Sequence, residues 1–386
     1  MRRGHDVCLQ TFEKWASHVE NEGMTFDRAP KYEVWPRKRA LTPYEAAVRA
    51  ARETVPVLQR FDPHAVVGDI LTVAGGLAAQ IDGRPWATLV PHVLPTGEPG
   101  FPPYSVGARL PRTRLGAAGW GLMRPLLMHG EERGRVELNG ARERVGLPHL
   151  AFTHGGISRQ LALVATFPQL EYPRRERHPS VRVTGPMLWE QPFGEVEMPP
   201  GDDPLVLVAP STSQDPEHRM LRATLEGLAR EPVRVIGTTN RPGAAATLRV
   251  PGNARVVDWL SYARTMPRCA AVICHAGHGT VARALAGGVP VIGCPAAGDM
   301  AENAARVAWA GCGISLPRRL ITPRGVRLAV RKLFSDPGYS ARAQDLEGWA
   351  GRHDGAEVAA EALEELAGGR GSGQLEGWDS NPQPSP

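Results

Sequence analysis

His275, Gly277, Gly279, Thr280 and Asp299 fall within one stretch, and their types suit the handling of an anion and of hydroxyl groups. The apolar run from Ala270 to Cys274 is too short for a helix and is closed at once by His275 and Gly277, so it predicts a buried strand. Gly277 and Gly279 let the backbone approach a ligand closely, and Thr280 adds a hydroxyl. Val281 to Ala286 has helix-forming composition, which puts the loop at a helix N-terminus. Unpaired N–H groups and the positive end of the helix dipole make such a place a phosphate site, and His275 can donate to it as well. Gly287-Gly288 then stops the helix, and Val289 to Cys294 predicts a second buried strand. Pro295 to Asp299 forms a loop at that strand's C-terminal end, where open α/β sheets bind ligands and where Asp299 can hold hydroxyls.

Two nucleotide readings of this stretch compete. Gly277-His278-Gly279-Thr280-Val281-Ala282 fits G-x-G-x-x-G/A, with Asp299 about where a ribose-binding acid falls, which would make the chain an NAD-type oxidoreductase. In that fingerprint, however, the acid ends the second strand, whereas here a Pro-Ala-Ala-Gly loop intervenes and the motif lies late in the chain.

The other reading takes in more residues. His-Ala-Gly-x-Gly-Thr, then Ala-Leu-x-x-Gly-Val-Pro-Val, Pro-x-x-x-Asp, Asn-Ala-x-x-Val and Gly-x-Gly together resemble the donor-binding segment of the UDP-glycosyltransferase-like GT-B enzymes, of the bacterial natural-product or macrolide type. The resemblance spans about residues 4 to 366 and is strongest from Asp258 to Leu316. It implies an α/β fold of two facing Rossmann-like domains with parallel sheets. The N-terminal domain would bind an apolar hydroxylated acceptor, and the C-terminal domain a UDP- or dTDP-linked sugar, with no metal or resident cofactor. On this resemblance Trp259 stacks on the nucleobase, and His275, Gly277, His278, Gly279 and Thr280 are the donor-binding turn, with Thr212 facing it. Asp299 holds sugar hydroxyls, and Asp69 orients the histidine that takes the acceptor proton in a single inverting displacement of a hexose.

This chain also departs from the family pattern. The family's ribose-binding Glu falls at Arg283, and the Gln after the acid falls at Met300. The family's first strand, a glycine-rich loop with the catalytic His, and a helix ending in a phrase like Arg3-Gly4-His5-Asp6-Val7 are expected ahead of the point where this sequence starts. The expectation is therefore an N-terminally truncated member without its first βα unit and its base, which leaves open a catalytically dead sugar-nucleotide-binding remnant. His92, at a strand end, is assigned to the acceptor site.

The elements that would position these residues alternate along the chain. Strands are predicted at Asp6–Gln10, Met24–Asp27, Ala65–Asp69, Trp86–Val90, around Leu163 and at Arg182–Gly185, with helices at Thr11–Asn21, Thr42–Gln59, Leu71–Gln80 and within Trp120–Val145. The Pro- and Gly-rich run Leu94 to Leu115 is too long for an ordinary connection and is expected to be a lid or a mobile acceptor loop. Residues 1–191 form the predicted acceptor domain, 192–203 a linker, 204–367 the donor domain and 368–386 a disordered tail. In the donor domain the expected strands are Leu205–Ala209, Val233–Gly237 and Arg255–Asp258. The expected helices are Pro216–Arg230, with Ser213 or Asp215 as cap, then Pro323–Phe334 and Asp354–Leu366.

Composition supports a globular enzyme more than a nucleic-acid binder. The net charge of +5 comes from scattered arginines with no aromatic platform beside them. The cysteines Cys8, Cys269, Cys274, Cys294 and Cys312 form no C-x-x-C pair, and most sit in or beside apolar runs, as expected in a reducing compartment. There is no run of 18 apolar residues and no signal-peptide pattern after Met1, so a cytoplasmic protein, monomer or homodimer, is expected.

Overall fold

The computed structural model describes residues 3–34, 41–151, 156–175, 178–191, 193–211, 215, 217–296 and 298–369. Thr212 and the tail beyond 369 lie outside them. Strands β1 (Cys8–Thr11) and β2 (Thr25–Arg28) pair in a two-stranded parallel sheet. Strands β3 (Val66–Asp69), β4 (Trp86–Val90), β5 (Leu161–Val164) and β6 (Val181–Val183) form a four-stranded parallel sheet in chain order. The third sheet is six-stranded and parallel. It takes β7 (Leu205–Ala209), β8 (Arg234–Thr238), β9 (Ala254–Val257), β10 (Ala271–Cys274), β11 (Val291–Gly293) and β12 (Gly313–Ser315) in the order β12-β11-β10-β7-β8-β9.

The strands form where the sequence is continuously apolar because helices cover both sheet faces. Every residue of β5, β7 and β10 is buried. The chain leaves β7 to build one half of the large sheet through β8 and β9. It then returns to β10 on β7's other side, so the connections diverge between β7 and β10 and open a crevice at the strand ends.

In the first half the helix Pro43–Phe61 starts at a reciprocal cap. Thr42 Oγ1 accepts from Glu45 N–H (3.3 Å) and Glu45 Oε2 accepts from Thr42 N–H (2.8 Å). Its buried Ala51 and Leu58 pack on Ala74, Leu77 and Ala78 of the helix Val73–Ile81. That second helix lies close to the sheet because Gly76 has no side chain: a Cβ there would meet the Trp86 ring at 2.5 Å.

Some expectations change. The first helix is Ala16–Asn21 after a 3-10 turn, since Glu13–Trp15 tightens the entry. Helices Asp299–Ala310 and Gly338–Ala350 were not anticipated. The last helix, Gly355–Ala367, follows the large sheet in sequence but packs on the first: Ala359, Ala362 and Leu366 share a core with Ala87, Leu161 and Leu163. No helix among the described residues is long and apolar enough to cross a membrane.

The run from Leu94 to Leu110 is irregular yet tied down on every side. Leu94 N–H donates to Glu171 Oε1 (2.7 Å), Arg174 Nη2 donates to Thr96 O (2.7 Å), and Leu110 N–H donates to Tyr172 Oη (3.1 Å). These residues meet Arg306 of the helix Asp299–Ala310. The Arg306 guanidinium is 3 % exposed. It donates to Glu302 Oε1 (2.7 Å) and to Leu170 O (3.1 Å), lies 3.9 Å from Glu171, and sits 3.4 Å over the Tyr172 ring.

Replacing Arg306 by Met leaves the buried Glu302 carboxylate without its cation, while Glu171 keeps Arg174 at 3.8 Å. The expected loss of stability is about 3–5 kcal/mol, read as a lower midpoint in urea unfolding.

Candidate nucleotide-sugar site

The turn after β10 lies at the β7/β10 crevice. His275 Nδ1 is 3.3 Å from Ala209 O at the end of β7, and a carbonyl can only accept, so Nδ1 carries the proton and Nε2 holds the lone pair. Gly277 is a glycine because a Cβ there would overlap His275 Nε2. Between them Ala276 is fully buried in the left-handed region, φ 61°, a conformation that costs a non-glycine residue about 1 kcal/mol or more. Asn303 stabilises it by donating from Nδ2 to Ala276 O (3.0 Å), and the same amide group donates to Asp299 Oδ2 (3.2 Å). One amide therefore fixes both the turn and the acid.

The helix His278–Ala286 starts at this turn, one turn earlier than its composition suggested. Its first N–H groups have no intrahelical acceptor. Gly279 is exposed with open space around it, and Thr280 N–H closes on Gly277 O at 3.1 Å. Asp299, half-buried, is the first residue of its helix rather than the end of a loop. Burial holds the His275 imidazole below its ordinary range, against the Ala209 bond and the Asp299 charge, which both act upward.

His278 is placed differently from its neighbours. Its ring is 8 % exposed, with Nε2 donating across to Ala165 O beyond β5 (3.1 Å), and burial pushes its pKa down to about 4. The ring is thus a neutral tie between the two large sheets, and what remains for an anion is its backbone N–H. Trp259 follows β9 and is 43 % exposed, stacked on Phe193 at 6.2 Å and 7°, so it is not a core residue. It stands on a rigid base: the preceding Asp258 accepts from Ala245 N–H (3.0 Å) and Thr239 Oγ1 (3.1 Å), and the backbone bonds hold its carboxyl below the usual range. Arg283 donates to Trp189 O (2.8 Å) and so fastens the connecting segment, while Met300 packs into the core.

From the first sheet come Asp69 and His92. Asp69 Oδ1 accepts from Leu71 N–H (2.8 Å), closing the turn before the helix Val73–Ile81, and no imidazole among the described residues is bonded to it. His92, just past β4, has Nδ1 2.7 Å from Val93 O and 3.1 Å from Tyr104 Oη. The carbonyl fixes the proton on Nδ1 and leaves the Nε2 lone pair without a hydrogen-bond partner among the described residues. Tyr104 comes from the tied-down Leu94–Leu110 segment; burial and then the Asp299 charge raise its phenol. Tyr104 and Arg306 carried no sequence signal, since a Tyr in a loop and an Arg in a helix look alike whether buried or solvated; Asn303 opens the Asn-Ala-x-x-Val phrase, but nothing in that phrase showed its bonds to Ala276 and Asp299. Asp215 caps the helix Arg219–Leu228, accepting from Arg219 N–H (2.9 Å) and Met220 N–H (3.1 Å).

The dinucleotide reading fails on this geometry. The glycine motif follows β10, the fourth strand of its sheet in chain order, and Asp299 lies inside a helix instead of at the end of β11.

Gly277→Ala is expected to turn the His275 ring and weaken binding of a nucleoside diphosphate about tenfold, roughly 1.4 kcal/mol, whereas Gly279→Ala, with open space around it, keeps the fold's melting temperature unchanged. Calorimetry and circular dichroism read the two effects.

Residues 222–366 match the family model described as erythromycin biosynthesis protein CIII-like, C-terminal domain. The chain is 27 % identical to 4'-demethylrebeccamycin synthase of Lentzea aerocolonigenes, over 94 % of this chain and 93 % of that protein. It is 31 % identical to a PGL/p-HBAD biosynthesis rhamnosyltransferase of Mycobacterium bovis (strain BCG / Pasteur 1173P2), over 77 % of this chain and 66 % of the relative. It shares its fold with the glycosyltransferase VinC, whose structure was solved in complex with DTDP, at a TM-score of 0.68 and 19 % identity, covering 95 % of this chain and 93 % of that one. The Mycobacterium relative is named a rhamnosyltransferase and VinC a glycosyltransferase, and neither supports an oxidoreductase. A parallel α/β pair of sheets, a glycine-rich turn at the switch of the second, and these similarities agree: the chain belongs to the UDP-glycosyltransferase-like GT-B family of natural-product glycosyltransferases.

Proposed function

We propose that this glycosyltransferase moves a hexose from a UDP- or dTDP-linked sugar to a hydroxyl of an apolar small molecule, with inversion at the anomeric carbon. The observation that carries the reading is the strained turn at the β7/β10 crevice. It joins the His275 ring to the start of the helix His278–Ala286, and Asn303 bonds both the turn and Asp299. Trp259 would stack on the base, Thr280 and the backbone around Gly277 and Gly279 would hold the diphosphate, and Asp299 would take sugar hydroxyls. VinC's complex with DTDP supports a nucleoside diphosphate as the leaving group.

In the reaction the acceptor oxygen attacks the anomeric carbon as the bond from that carbon to the diphosphate breaks. Negative charge builds on the diphosphate, where oriented N–H groups stabilise it without reorganising. The acceptor's proton leaves on the first-sheet side. There the Nε2 lone pair of His92 would take it, and Asp69, bonded to Leu71 N–H and to no imidazole among the described residues, would be the carboxylate that orients a histidine base in the family pattern.

The proton on His275 Nδ1 has a consequence for pH. To donate from Nε2 to a diphosphate the ring must gain a second proton, and burial makes it neutral in the free protein at pH 7. Anion binding favours the imidazolium, so binding takes up a proton and strengthens as pH falls from 8 toward 6, by at most about tenfold per unit for one proton. Calorimetry with dTDP in buffers of different ionisation enthalpy measures that uptake. His275→Ala should weaken dTDP or UDP binding by about 1.5–3 kcal/mol and abolish the uptake. Unchanged affinity in the variant, or NAD binding as tightly as dTDP, would sink the reading.

A further inference from the structure

The helix Arg114–Leu122, which follows the irregular segment Leu94–Leu110, has no buried residue. Thr113 caps it, with Oγ1 accepting from Gly116 N–H (3.1 Å). The side turned to the protein is made of Gly116, Ala117 and Trp120, all half-buried. A Cβ on Gly116 would meet Pro111 Cβ at 2.8 Å, and one on Gly100 would meet Ala117 Cβ at 3.2 Å. Leu115, Ala118 and Leu122 recur at helical spacing on the opposite side, and all three are exposed. Leu115 is 86 % exposed and Leu122 84 %, with Met123 just beyond them at 44 %. The apolar stripe of this helix therefore faces solvent.

Charge along this part of the chain has one sign. From Pro99 to Gly130 the sequence holds Arg109, Arg112, Arg114 and Arg124 and no Asp or Glu, although the whole chain is nearly balanced, with 45 Lys and Arg against 40 Asp and Glu. Arg112 and Arg114 stand at the start of the helix, are exposed, and pair with no carboxylate among the described residues. A single exposed Leu needs no explanation. A stripe of them beside arginines without counter-charges marks a face that meets something both apolar and anionic. A second copy of the chain is a poor match, because a twofold contact would present the same stripe and the same arginines with no acid from this segment to meet them. The interfacial layer of an anionic bilayer supplies both partners, acyl chains for the leucines and headgroup phosphates for the arginines.

We propose that this face docks the chain on anionic phospholipid, with Leu115, Leu122 and Met123 entering the interfacial layer and Arg112 and Arg114 at the phosphates. The attachment is peripheral, since the helix has 9 residues where a span needs about 20. Ala117 packs on Gly100 of the segment that delivers Tyr104 beside His92, so a docked chain holds that side of the crevice close to the lipid. On the transferase reading an apolar acceptor would be taken from the same layer, but the docking itself does not need that reading.

The test is flotation of the full chain, without nucleotide, on vesicles of equal parts phosphatidylcholine and phosphatidylglycerol and on vesicles of phosphatidylcholine alone. The expected result is binding to the anionic vesicles that weakens with salt and is about tenfold or more stronger than to the neutral ones. Leu115→Glu combined with Leu122→Glu should lower that binding about tenfold or more, and Arg112→Gln combined with Arg114→Gln by a similar factor. Leu328→Glu, at a 52 % exposed position on the helix Pro323–Ser335, should leave it unchanged. An unaltered melting temperature shows that each variant is folded, and because no nucleotide is present the result stands apart from the transferase reading. No binding by the wild type, equal binding to both vesicles, undiminished binding in either double variant, or an equal loss in Leu328→Glu would each overturn the proposal. So would self-association that Leu115→Glu abolishes in a chain that binds no vesicle.

Discussion

The placement of the active crevice depends on the desolvated guanidinium of Arg306. It grows from the helix that carries Asp299 and ends among Leu170, Glu171 and Tyr172 of the other half, so Asp299 and the first sheet are held in one frame. Glu171 and Tyr172 in turn fasten the segment Leu94–Leu110, which delivers Tyr104 beside His92. A buried ion group of this kind contributes little net stability compared with apolar packing of the same volume. Its geometry is what matters, because Arg306 bonds Glu302 and Leu170 O and covers the Tyr172 ring at once. His278, neutral and bonded to Ala165 O, adds a second tie on the same seam.

Strain and support are paired in the donor turn. The left-handed Ala276 turns the backbone sharply enough to aim His275 along the end of β7, and Asn303 compensates by bonding its carbonyl. The same Asn303 holds Asp299, so the groups proposed for diphosphate and for sugar are set by a single side chain. The switch between β7 and β10 provides the crevice, and the helix His278–Ala286 starts at its edge.

Much of this was legible in the sequence. Strands buried on both faces announce themselves as apolar runs, and Trp86–Val90 and Leu205–Ala209 begin and end where the residues said they would. The turn at His275 and Gly277 was legible because its glycines and hydroxyl have few other uses. The helix Gly338–Ala350 was not, since Gly338, Gly348 and scattered charges give it no clear apolar stripe. His278 looked like a ligand because it lies inside the motif, and only tertiary structure shows its ring turned to Ala165. The run at Leu94 reads as loose from its Pro and Gly content; what fixes it is Glu171, Tyr172 and Arg174, far away in sequence.

The last helix carries a consequence for how the chain is made. Gly355–Ala367 covers β5 and β4 of the first sheet, so that sheet's core is incomplete until nearly the whole described chain has been synthesised. Domains usually fold in order as they leave the ribosome, but here the first half must wait, with Ala87, Leu161 and Leu163 uncovered, for a helix that arrives last. A chimera that exchanges halves at the connecting segment would pair each sheet with the wrong terminal helix. Residues 355–367 have to travel with the first half if both cores are to close.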